Sequence, residues 1–190
     1  MPSDVELLTA WRGGDNAAGE QLVARYWSSV SRFCRSKIGD DGADLISQVF
    51  LACVEGRDRI AGDNIKAYLF AIARKRLADH FRQRSRIADV DFTASSLIDL
   101  RTGPATQVSR RQRSELLHEA LARIPLDDQI AIELAYFEHL SNAEIAGVLE
   151  IAENTVRSRL SRARDKLREV LSTLAPAADA VLAESQLDSH

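Results

Sequence analysis

Between Leu140 and Val170 the chain reads LSNAEIAGVLEIAENTVRSRLSRARDKLREV and sets Arg157, Arg159, Arg162, Arg164, Lys166 and Arg168 along one stretch. Cations in such a row hold phosphate oxygens, and an arginine fork can also read a guanine edge in a major groove. Asn154, Thr155, Arg157, Ser158, Ser161 and Arg162 fall on the first turns or outward face of the same stretch. Side chains of these types contact bases and phosphates. Val156, Leu160, Ala163, Leu167 and Val170 recur at helical spacing and supply the inward face. Ahead of them, Ser141 with Glu144 three residues on forms a capping-box start, followed by apolar Ile145, Val148 and Leu149. Glu150, Ile151 and Ala152 make a short turn, and a second helix begins near Glu153. A capped helix, a three-residue turn and a basic helix match the helix-turn-helix pattern.

The rest of the chain must position this element. Its 190 residues suffice for one domain or two small ones, and 45% hydrophobic content supports ordinary cores. The net charge of -3 is an average over segregated patches. Asp63 to Arg86 is rich in Lys and Arg, whereas acids gather near Asp40 to Asp44, in the middle of the chain and at its end. Local patches govern phosphate contact more than the sum does. Cys34 and Cys53 are isolated, with no CxxC and no histidine pair, so no metal site and no disulfide framework is expected. They read as buried thiols of a reducing cytosol. His80, His118, His139 and His190 are scattered, without a partnered nucleophile. No catalytic residues and no cofactor are expected. No signal peptide and no membrane span is legible, so the expected location is cytoplasmic.

Apolar periodicity predicts helices over Asp4–Arg12, Ala17–Lys37, Asp44–Val54 and Asn64–Arg84. On the third, Leu45, Val49 and Ala52 or Cys53 can face inward, and Asp44, Ser47, Gln48 and Leu51 remain for a partly exposed face. Glu55 to Gly62 is long enough to be a shaped loop. The fourth is strongly basic towards its end. Together with that loop it can capture an unstacked strand: Arg57, Arg59, Asn64, Lys66, Arg74, Lys75 and Arg76 are the candidates. Tyr68 and Phe70 can stack on bases, with core packing the favoured role; core or rim packing is likewise favoured for Trp11 and Trp27. Ile87 to Val108 is acidic, then rich in Ser and Thr, then Gly103-Pro104, and reads as a flexible linker. Helix returns at Ser109. Asp127 is the expected N-cap of the next helix, whose buried face is Ile130, Leu134 and Phe137. The expected architecture is all-α: two small helical bundles, at 1–86 and 109–174, joined by a linker at 87–108 and followed by a disordered tail at 175–190.

Two helical modules, each with a basic helix, resemble bacterial sigma-70 family sigma factors, and more narrowly their extracytoplasmic-function group. GADLISQVFL resembles the segment that docks on core polymerase. NIKAYLFAIARKRLADHFRQR resembles the segment that reads and opens the -10 element, and Ile124 to Leu167 resembles the -35-reading domain. Gly19 occupies a position that is often aromatic in the family. The resemblance implies a non-enzymatic promoter-specificity factor whose partners are core RNA polymerase, promoter DNA and an anti-sigma protein, with no direct membrane insertion. It assigns Asn154, Thr155, Arg157, Ser158, Ser161 and Arg162 to the -35 element, and the loop with the fourth helix to the -10 element. It sets Asp44, Ser47, Gln48 and Leu51 against a coiled coil of the largest core subunit, and threads the linker along the enzyme's interior. The competing reading is a helix-turn-helix regulator that never docks on polymerase. Such regulators usually carry an α/β receiver, and no alternating strand pattern appears in the first half.

Overall fold

The computed structural model describes residues 1–39, 42–60, 64–87 and 108–187, with side chains described except at 85–87, 108–114 and 175–187. Among the described residues every regular element is helical. The order is α1 (Asp4–Arg12), α2 (Asn16–Ile38), α3 (Gly42–Glu55), a 3-10 turn (Arg57–Arg59), α4 (Ile65–Ile87), α5 (Val108–Ala122), α6 (Leu126–Tyr136), α7 (Asn142–Leu149) and α8 (Glu153–Leu187). The expected linker falls, but for its end residues, outside the described residues.

Local chemistry sets the boundaries. Ser3 and Glu6 form a capping box on α1, and the Asp15 carboxylate accepts from the backbone N–H groups of Ala17 and Ala18 at the start of α2. These bonds occupy donors that a helix start otherwise leaves orphaned. α2 stops at Gly39, whose φ of 65° lies in the region glycine enters without a side-chain clash.

The first bundle closes around an apolar centre. Leu7, Leu8 and Trp11 of α1 meet Ala18 and Leu22 of α2, and Val30 and Phe33 continue the seam to Leu45 and Val49 of α3 and to Leu69, Phe70, Ala73 and Leu77 of α4. Phe33 and Phe70 meet edge to face, with ring centroids 5.0 Å apart. Gly19 is small because Trp11 occupies its side-chain space: a Cβ there would lie 2.5 Å from the indole nitrogen. Trp11 is only 4% exposed and has nowhere to move. Gly19→Ala is therefore expected to cost about 1–3 kcal/mol by overpacking, read as a lower urea midpoint at unchanged slope.

In the second bundle α8 packs along two seams. Val156 joins Ile130, Leu134, Ile145, Val148 and Leu149, whereas Ala163 meets Leu121, Ile124 and Ile132, with Leu117, Leu167 and Val170 at the edge. α4 packs directly on α7, so the cluster containing Val156 is continuous with that of the first bundle.

Three expectations are corrected here. Phe137 is not buried but 47% exposed, because α6 ends at Tyr136 and Phe137 sits past the apolar stripe as the C-cap. His139, at φ 55°, then turns the chain, and Leu140 is the residue that returns to the core. Asp127 does not cap α6: Pro125 holds the cap position two residues earlier, and Asp127 lies in the first turn. Finally, the residues expected as a tail from 175 continue α8 to Leu187. Ala175, Ala177, Ala178, Ala180 and Ala183 give that segment strong helix propensity despite Pro176.

Candidate nucleic-acid interface

The helix-turn-helix forms as the residues require. Ser141 Oγ accepts from the Glu144 N–H at 3.3 Å, and the Glu144 carboxylate accepts from the Ser141 N–H at 2.7 Å. Glu150 closes α7 in the left-handed region, at φ 56° and ψ 43°, and reverses the chain into α8. Asn154, Arg157, Ser158, Ser161 and Arg162 are exposed and Thr155 is half-buried, whereas Val156 and Ala163 are fully buried. The candidate -35 residues thus share one free face. Arg162 Nε donates to the Ser158 carbonyl at 3.3 Å, which leaves its terminal nitrogens outward. Arg159 turns inward, to Asp127 at 3.3 Å and Asp128 at 3.9 Å.

The candidate -10 residues divide. Arg59, Lys75 and Arg76 surround a cleft of about 360 Å3 that Ala52, Tyr68 and Ile72 complete. An apolar floor with cationic walls suits a planar base and its phosphates. Tyr68, Ile72, Lys75 and Arg76 are four, three and one residues apart along α4 and share one face, and Tyr68 also packs against the core of the first bundle, the role favoured for it. Its hydroxyl donates to the Gly56 carbonyl at 3.4 Å, and the ring is half-buried. Phe70, by contrast, is fully buried, as favoured. Arg57 lies on the α1 side, its guanidinium 5.9 Å from the Trp11 ring centroid. Asn64 immediately precedes α4, its Oδ1 buried and without a hydrogen-bond partner among the described residues. Lys66 and Arg74 do not join the cleft. Lys66 pairs with Glu138 at 3.2 Å, and Arg74 with Asp127 at 3.3 Å and Glu150 at 3.7 Å.

Sequence reasoning missed what holds the cleft's loop. Arg12 Nε donates to the Arg57 carbonyl at 3.1 Å, and its Nη2 donates to the carbonyls of Arg57 and Ile60. One guanidinium fork thereby ties α1 to the 3-10 turn.

The exposed α3 face is as expected: Asp44, Ser47, Gln48 and Leu51 are all outward, Leu51 by 58%. The structure adds Trp27, stacked on Phe50 at 5.1 Å, and Val54 beside it. Exposed apolar groups grouped in this way mark contact surfaces. Burial pushes the Cys34 thiol up to about 12 and the Cys53 thiol to about 11, so neither is a reactive thiolate near neutrality. Among the described residues no cluster of acidic, histidine or cysteine side chains could hold a metal ion, and no helix is long and apolar enough to cross a membrane.

Two helical bundles, one with a basic cleft and one with a helix-turn-helix, define a promoter-recognition protein. The family described as sigma-70 region 2 matches residues 21–87, and that described as sigma-70 region 4 matches residues 114–167. The chain is 28% identical over 180 residues to the ECF RNA polymerase sigma factor SigM of Mycobacterium tuberculosis, covering 90% of this chain and 86% of the relative. Among solved structures, CnrH bound to the cytosolic domain of CnrY has a TM-score of 0.67 at 23% identity, covering 90% of this chain and 99% of that one. The sigma factor RpoE bound to the anti-sigma factor NepR from Bartonella quintana has a TM-score of 0.65 at 26% identity, covering 80% and 96%. The chain belongs to the sigma-70 family, in its extracytoplasmic-function group. It is a promoter-specificity factor for core RNA polymerase and not itself an enzyme.

Proposed function

We propose that promoter recognition is divided between the two bundles. The second, from 109 to 174, reads the -35 element with the outer face of α8, through Asn154, Thr155, Arg157, Ser158, Ser161 and Arg162. The first, up to residue 86, captures the opened -10 strand in the cleft walled by Arg59, Lys75 and Arg76, with Tyr68 as a stacking surface. Arg57 and Asn64 flank that cleft, whereas Lys66 and Arg74, expected at the same element, meet Glu138, Asp127 and Glu150 instead. The α3 face of Asp44, Ser47, Gln48 and Leu51, extended by Trp27 and Val54, docks on core polymerase. The chain works in the cytoplasm, under an anti-sigma protein of the kind that accompanies the relatives' structures.

One observation carries the reading: a cleft with an apolar floor and three cationic walls sits in the first bundle, away from the helix-turn-helix. A groove-reading regulator has no use for such a cleft. Run-off transcription with the host's core enzyme on genomic fragments tests the proposal. The wild-type chain is expected to give discrete start sites, and a variant carrying Asp44→Arg and Gln48→Arg is expected to lose both start sites and core capture while keeping -35 binding. Duplex binding without any initiation would support the regulator instead.

A further inference from the structure

The basic helix α8 is held to its own bundle by charge as well as by apolar packing. Asp128 stands in the first turn of α6, where a helix start favours a carboxylate. It is 8% exposed. Lys166 Nζ donates to one of its carboxylate oxygens at 2.7 Å, and the Arg159 guanidinium lies 3.9 Å from the other. Among the described residues both ion pairs of Asp128 run to α8. Arg159 also meets Asp127 at 3.3 Å, and its Nε is buried.

The spacing shows what this anchor controls. Thr155, Arg159, Arg162 and Lys166 follow one another at four, three and four residues, so they form one row along α8. Two of the four belong to the set assigned to the -35 element, and the two between and beyond them go to Asp128. Arg162 is exposed and Thr155 half-buried, whereas the Arg159 side chain keeps only 22% of its surface. Apolar burial is non-directional. A carboxylate seated between two cations two turns apart is directional, and it fixes how far α8 is rolled about its axis. The same pairing occupies two cations that stand one turn from Arg162 on either side.

We propose that Asp128 is a positioning residue for -35 reading: its hold on Arg159 and Lys166 sets the roll of α8 that presents Thr155 and Arg162 to the groove, and keeps both cations from gripping phosphates of any sequence. The inference rests on the assignment of the outer face of α8 to the -35 element. Neutralising Asp128 loosens the roll and frees two cations, so sequence preference falls while indiscriminate grip rises. Simple damage to the bundle would weaken both.

The test uses holoenzyme assembled from the host's core enzyme and the full chain carrying Asp128→Asn. Circular dichroism of the chain confirms that the helices persist. Affinity is measured over several salt concentrations on two promoter duplexes that differ only in the -35 element, one taken from a mapped start site and one scrambled there. Preference for the mapped duplex is expected to fall about tenfold, the order of one lost base contact. Affinity for the scrambled duplex is expected to rise at low salt, with a salt slope steeper by about one to two, because each new phosphate contact adds about 0.9. Lys166→Gln removes one cation together with its anchor, so preference should fall without a steeper slope. Its side chain is 48% exposed, and this variant carries the test even where Asp128→Asn lowers stability. Glu119→Gln, which frees Arg123 at the end of α5 instead, should match wild type on both duplexes. Equal weakening on both duplexes by Asp128→Asn overturns the proposal. So does an unchanged preference in either anchor variant, an unchanged slope in Asp128→Asn, or a control that behaves like Asp128→Asn. Wild-type holoenzyme that does not prefer the mapped duplex, or that keeps its preference with Arg157→Ala and Arg162→Ala together, overturns the -35 assignment itself.

Discussion

Replacing Arg157 and Arg162 together with alanine is expected to weaken binding to a -35 duplex by about 2–6 kcal/mol, roughly thirtyfold to twenty-thousandfold, if each contact is worth about 1–3 kcal/mol and the two add. Both are exposed on the outer face of α8, while the buried Val156 and Ala163 hold the opposite face to the bundle. The substitution should therefore leave the helix intact, since alanine favours helix at least as well as arginine. The single variants separate two roles. Loss of a base-reading arginine relaxes preference at one base pair, whereas loss of a phosphate contact weakens all sequences alike and lowers the salt slope. Anisotropy titrations over several salt concentrations, with duplexes taken from mapped start sites, distinguish these outcomes. Unchanged affinity in the double variant would place the groove-reading face elsewhere.

Phe70→Ala is expected to lower folding stability by about 3–5 kcal/mol, the range for emptying a buried aromatic site. The side chain is fully buried and meets Phe33 edge to face in the middle of the first bundle. For a domain of ordinary stability, about 5–15 kcal/mol, that is a large fraction. Urea denaturation measures it. Phe70→Leu should recover most of the loss by refilling volume. If Phe70 instead worked as a base-stacking residue, the alanine variant would unfold at wild-type urea and lose only strand binding. Tyr68, two residues earlier on the cleft side, packs against the same core and bonds Gly56, so its alanine variant should lose strand binding together with a smaller part of the stability.

Much of the frame could be read from spacing alone. The Ser141–Glu144 box, the three-residue turn and the Val156–Ala163 stripe all act within a few residues of one another, so their consequences are local and visible in the sequence. The outward set on α3 followed from the same periodicity. What could not be read depends on which helices meet. Lys66 and Arg74 look like any basic residues of α4, and only the approach of the second bundle gives them Glu138, Asp127 and Glu150 as partners. Asp127 has the composition of a helix cap and a position that makes it a partner for Arg74 and Arg159. Phe137 missed burial because the helix stopped one residue short of it. Trp27 was expected to pack at a core or rim. It does so on Phe50 while still presenting nearly half its surface, a balance that depends on a neighbouring helix.

The fork that Arg12 extends to the carbonyls of Arg57 and Ile60 gives the first helix a reach beyond its own packing. α1 contributes no side chain to the cleft, yet it fixes the backbone on which Arg59 stands. Whatever loosens Ser3, Glu6 or Trp11 from their seats slackens that tether, and with it the wall that Arg59 gives the cleft.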